Sequence, residues 1–201
     1  FYDDGSGFSG FGGFGGHGSA GFDQKGQDLN ASVSVTFDEA AFGCDKRITL
    51  QDQSGKAQTL EVHIPAGIDS GKSIRLRGKG MSGTGKGGAG DLLLKVTVQP
   101  KAGYERKGMD VYTTVSIPYT TAVFGGEARV HTLYGDVMCK IKEGTQSGSK
   151  IRLRGKGIVS MKDANVHGDQ YVTVQIQVPR HLNAEARQKL MEYKKAAAGG
   201  R

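Results

Sequence analysis

The sequence predicts an all-β protein: two tandem sandwich-like β domains from an internal duplication, followed by a short C-terminal helix. Three observations predict it. Apolar and polar residues alternate with period two in several short segments, the pattern of half-buried strands. The run Ile-Arg-Leu-Arg-Gly-Lys-Gly occurs twice, at 74–80 and at 151–157. A helical apolar period appears only near the end of the chain, between residues 182 and 197.

The elements follow in order. Residues 1–26 hold ten of the 33 glycines and five of the eight phenylalanines. Glycine raises backbone entropy and no apolar period is present, so a flexible linker is expected. Its phenylalanines are suited to transient apolar contacts with a neighbouring domain or a bound chain; a plain tether is the other reading. Alternation begins at Leu29. Leu29, Ala31, Val33, Val35 and Phe37 take one face, and Asn30, Ser32, Ser34 and Thr36 the other. One helical turn is expected over 38–42, capped by Asp38 and stopped by Gly43. Strands are expected again at 60–64, 74–76 and 92–98.

The pattern then restarts. Gly71 to Gly80 matches Gly148 to Gly157, with Ile64 matching Ile141 and Gly67 matching Gly144 at the same offset. Upstream, Asp28 matches Asp110, Val35 matches Ile117, and Phe42-Gly43 matches Phe124-Gly125, at a larger offset. An offset that changes between blocks means that loops differ in length while strands are kept. The expected boundaries are a linker at 1–26, a first β domain at 27–107, a second at 108–180, and a helix with its tail at 181–201. Pro179 closes the last strand, Asn183 caps a helix over 184–197, and Gly199-Gly200 ends it. Leu182, Ala186, Leu190 and Tyr193 form one apolar stripe, which must dock on its own domain or on a second chain.

Composition removes several function classes. The formal net charge is +7, but Lys and Arg are spread along the chain. The two cysteines, Cys44 and Cys139, form no Cys-x-x-Cys pair, so no zinc finger and no disulfide scaffold is expected. No apolar run approaches a membrane span. The chain opens at Phe1 without a Met, and a piece of a longer protein is expected. Gly78-Lys-Gly-Met-Ser-Gly83 fits G-x-G-x-x-G, and Gly80 to Lys86 fits most of a phosphate loop. Gly87, however, stands where Ser or Thr should hold magnesium, and a strand follows in place of a helix. Tight turns with positive φ are the simpler reading. The five histidines do not cluster in sequence, so no catalytic residue, metal or cofactor is expected. The rows Arg75, Arg77, Lys79 and Arg152, Arg154, Lys156 put three cations on one strand face. They suit either phosphate or an acidic tail, or simply a solvated face that discourages edge pairing.

Taken together, these motifs resemble a known family. A Gly/Phe-rich segment precedes two β domains. The first contains Ile64-Pro-Ala-Gly-Ile-Asp-Ser-Gly-Lys-Ser-Ile-Arg-Leu-Arg-Gly-Lys-Gly80. Gly-Asp pairs follow at Gly90-Asp91 and Gly168-Asp169, and Pro179-x-x-Leu-Asn183 leads into the helix. This is similar to the C-terminal client-binding and dimerisation region of DnaJ-type (J-domain) co-chaperones. The His-Pro-Asp triplet of a J domain is not among these residues. Cysteine-rich zinc repeats are also missing between Leu50 and Leu60, as in the zinc-finger-less members that include the curved-DNA-binding relatives.

The resemblance implies a non-catalytic, cytoplasmic co-chaperone that binds unfolded polypeptide and presents it to a DnaK-type chaperone, with DNA as a possible weak partner. It implies a peptide groove at Val35, Phe37, Ile48 and Leu50 with Tyr104 at its rim, and a weaker contact for the partner's acidic tail at Lys46 and Arg47. An extended client would add a strand to the exposed edge there. The alternation of Val35 and Phe37 equally fits ordinary core. A homodimer through Leu182, Ala186, Leu190 and Tyr193 is expected, because a short helix with an apolar stripe is marginal alone.

Overall fold

The computed structural model describes residues 23–51 and 57–199. Most of the expected Gly/Phe linker, residues 1–22, lies outside the described residues. The chain divides into two compact units.

The smaller unit comprises, among described residues, 23–29 and 75–93. Its backbone is laced by hydrogen bonds between two glycine-rich stretches. Gly26 donates to Gly88 O at 2.9 Å, Met81 to Gln27 O at 2.9 Å, and Gly90 to Met81 O at 2.9 Å. A Cβ on Gly26 would fall 1.8 Å from Met81 O, so the stretches approach too closely for a side chain there. The glycines of the apparent nucleotide motif serve this lacing, and strand Leu92–Val98 follows them.

The larger unit carries most of the strands. The first repeat runs β1 (Leu29–Val35), α1 (Phe37–Phe42), β2 (Cys44–Gln51), β3 (Ala57–Ile64), β4 (Ser73–Leu76) and β5 (Leu92–Val98). A short β6 (Glu105–Lys107) lies in the connection. The second repeat reproduces the order: β7 (Asp110–Pro118), α2 (Tyr119–Phe124), β8 (Gly126–Thr132), β9 (Gly135–Ile141), β10 (Lys150–Leu153) and β11 (Gln170–Gln177). Helix α3 (Ala184–Ala198) closes the chain. The fold is therefore mainly β with a C-terminal helix, as the sequence predicts.

Each repeat has a sheet and a separate hairpin. The sheets are ordered β1-β5-β4 and β10-β11-β7-β6, and the hairpins are β2-β3 and β8-β9. In the second repeat the hairpin lies on the sheet. Ile117 and Val174 of the sheet pack with Ala128 and Ile141 of the hairpin and Ala122 of α2. Val130 and Cys139 pack with Val172. Hairpin registers explain the changing repeat offset. Ile48 pairs with Leu60, and Val130 with Val137, so the whole length difference falls in the residues that join the two strands of the first hairpin.

Local signals hold with one correction. Gly43 stops α1 at φ 79 as expected, but Asp38 does not cap it. Thr36 does: its hydroxyl accepts from Glu39 N at 3.2 Å while Glu39 accepts from Thr36 N at 2.7 Å, a capping box. Helix geometry already begins at Phe37, so Asp38 lies inside the first turn and pairs instead with Lys101 at 2.7 Å. Asn183 caps α3, accepting from Ala186 N at 2.7 Å.

Candidate functional site

The repeated Arg-x-Arg-Gly motif has a structural task in each copy. The carboxylate of Asp91 accepts from Arg75 and from Gly78 N, and Asp169 accepts from Arg152 and from Gly155 N. Asp91 N and Asp169 N in turn donate to Asp28 and Asp110. The hydrogen bond from Gly78 first, and Arg75 second, hold the Asp91 carboxyl below its usual range; Gly155 and Arg152 do the same for Asp169. The first cation of each basic row is thus fixed on its own Asp.

The residues expected at a peptide groove fall into two sets. Val35 and Phe37 are core, at 1% and 6% exposure. Phe37 packs with Ala41, Val111 and Ile158, and its ring centroid lies 5.9 Å from that of Tyr104. Lys101 sits 4.8 Å above the Tyr104 ring. Tyr104 also lines an open cleft of about 500 Å³ with Lys107, Tyr112, Thr114 and Lys150. Ile48 and Leu50 lie on β2, whose side chains alternate between half-buried and exposed. Cys44, Lys46, Ile48 and Leu50 share the half-buried face; Asp45, Arg47, Thr49 and Gln51 share the open one. Lys46 and Arg47 consequently point to opposite sides of the strand. Lys46 is held by Glu39 at 2.9 Å. On the open face His63 contacts Asp45 at 2.7 Å across the hairpin.

The equivalent strand of the second repeat is closed. Ala128, Val130 and Thr132 of β8 stand where Lys46, Ile48 and Leu50 stand in β2, and all three are buried. Among the described residues, β2 has β3 as its one sheet neighbour, so its other edge carries no strand.

Sequence reasoning missed the joint between the repeats. The Phe42 and Tyr134 rings meet edge-on with centroids 5.6 Å apart, and the Tyr134 hydroxyl donates to Gly157 O at 2.8 Å. Arg106 is mostly buried against the 67–69 loop. Lone aromatic and basic residues in connecting segments carry no periodic signal.

Helix α3 buries none of its residues. Leu182, Leu190 and Tyr193 are exposed, and Ala186 is half-buried. Tyr193 does meet the body of the chain, its hydroxyl 3.1 Å from that of Tyr119. No helix among the described residues is long and apolar enough to cross a membrane.

Comparison with known proteins agrees with this architecture. The family described as DnaJ C terminal domain matches residues 29–179. A chaperone protein DnaJ of Lachnospira eligens is 44% identical over 142 residues, 71% of this chain and 38% of that protein. One from Burkholderia pseudomallei is 45% identical over 145 residues, 72% of this chain and 38% of that protein. The match spans well under half of these relatives. With two sheet-and-hairpin repeats, the twice-used Asp pin and a family match over three quarters of its length, the chain belongs to the DnaJ C-terminal domain family.

Proposed function

We propose that this region is a non-catalytic co-chaperone module that holds unfolded, extended polypeptide on the first repeat and presents it to a DnaK-type chaperone. One observation carries the reading: the hairpin face sealed in β8 is half-open in β2, beside a strand edge without a neighbour among the described residues. An extended segment laid on that edge gains main-chain hydrogen bonds and sets alternate side chains over Ile48 and Leu50. Val35 and Phe37 lie in the core, and Tyr104 packs on Phe37. Arg47, on the open face, has no carboxylate partner among the described residues and is the cation offered to an acidic segment, while Lys46 is occupied by Glu39. The relatives bear the name chaperone protein DnaJ, which supports the chaperone role; a cytoplasmic setting belongs to the proposal.

The uncovered stripe of Leu182, Ala186, Leu190 and Tyr193 is proposed as a homodimer face, since a closed two-fold pair would cover the same stripe on both chains. Nucleic acid is the weaker partner: Arg75, Lys101, Arg106 and Arg152 are already paired with carboxylates.

The test is suppression of aggregation of a denatured client without ATP. Ile48→Ser with Leu50→Ser should abolish holding while circular dichroism stays native; undiminished holding sinks the site. Leu190→Asp should shift sedimentation from dimer to monomer. A wild-type monomer at micromolar concentration sinks the dimer.

A further inference from the structure

Arg106 occupies an unusual position for a cation. Its Nε donates to Gly108 O at 2.8 Å, Nη1 to Ile68 O at 2.7 Å, and Nη2 to Gly67 O at 2.8 Å. Nη2 also pairs with Asp69 at 2.6 Å. The planar fork of one guanidinium thus ties the 67–69 loop of the first repeat to the connection that enters the second. Lysine could not span these acceptors, and a buried guanidinium stripped of them would be costly, so the contact is made as a whole or lost as a whole.

Two further features converge on the same joint. Gly67 has φ +83, and a Cβ there would fall 2.1 Å from Val159 O. Beside it, Phe37 and Ala41 of the first repeat bury themselves against Val111 and Ile158 of the second. Tyr104 and Leu133 pack against the rim of this patch.

We infer that Arg106 is a latch that locks the two repeats into one cooperative block and keeps the Phe37 patch hidden. With the latch broken, each repeat keeps its own fold and the patch opens. The inference does not rest on the client-binding reading, and its test does not use a client.

The experiment is hydrogen exchange read by mass spectrometry on the full chain, with thermal unfolding and binding of an apolar dye in parallel. Arg106→Met is compared with wild type and with the surface control Arg77→Met. Exchange in segments 37–42, 108–111 and 157–159 should speed up about tenfold or more, while the β8–β9 hairpin keeps its rates. Dye binding should rise and the single thermal transition should split. Arg106→Lys, which cannot span the acceptors, should behave like Arg106→Met. Gly67→Ala, which pushes the joint apart from the other side, should give the same pattern. Unchanged exchange at the joint in Arg106→Met overturns the latch, even if Gly67→Ala opens it. Loss of protection throughout both repeats overturns it as well, because the repeats then do not stand without it.

Discussion

In the first repeat the helix after the opening strand starts with Phe37, buried against the second repeat; in the second repeat the same position is Tyr119, exposed and bonded to Tyr193 of α3. The first helix is capped by Thr36 with Glu39, whereas the second starts at Pro118 with no side-chain cap. The hairpins differ in the opposite sense: β8 buries its inner face and β2 leaves its own half-open. Duplication has kept the pins and registers and released the surfaces. The first copy holds its helix firmly and leaves its hairpin accessible; the second seals its hairpin and turns its helix toward α3.

This contrast can be broken by substitution. Val130→Ala removes two methyls from a filled core and should cost about 2 kcal/mol by urea unfolding, whereas Ile48→Ala on the half-open face should cost about half that. Because Ile48→Ala deletes three carbons and Val130→Ala two, a loss at Ile48 larger than that at Val130 would mean that the two hairpin faces are equally packed. Thr36→Ala removes the capping box and should cost about 1 kcal/mol. Its counterpart, Pro118→Thr, offers α2 the cap it lacks and should gain a few tenths of a kcal/mol in the same assay. A loss there would show that the fixed φ of Pro118 matters more than a missing acceptor.

The smallest expected difference concerns acid. Asp91 and Asp169 both have carboxyl pKa values lowered by a glycine N–H and an arginine. A lowered folded value means that their contribution is in full force above the unfolded carboxylate value near 4 and is lost as pH falls through the lower folded value. Melting temperature should therefore drop below about pH 4. Asp91→Asn and Asp169→Asn should each flatten that limb to a similar degree; a limb unchanged in both variants would remove the pins from the account.

Much of this was legible because its causes are local. Alternation from Leu29 marked β1 and its buried face, Leu92 to Val98 marked β5, and Asn183 marked the start of α3. Repetition of Ile-Arg-Leu-Arg-Gly-Lys-Gly exposed the duplication, and the structure supplies its reason: Arg and Gly at that spacing clasp one downstream Asp in each copy. The α1 cap lies two residues before the expected Asp38, at Thr36, because Phe37 joins the helix with its ring buried.

The strands, the duplication, the terminal helix and the family follow from the order of the amino acids, since period, turn chemistry and motif spacing act within a few residues. Which apolar faces are covered depends instead on long-range packing. Alternation says that Val35, Phe37, Ile48 and Leu50 each belong to an apolar face, but not what lies across from it. The opposite wall comes from residues far along the chain: Val111 and Ile158 close over Phe37, while the face of Ile48 and Leu50 stays half-open. Arg106 marks the same limit, because three of its acceptors are backbone carbonyls that no side-chain pattern records.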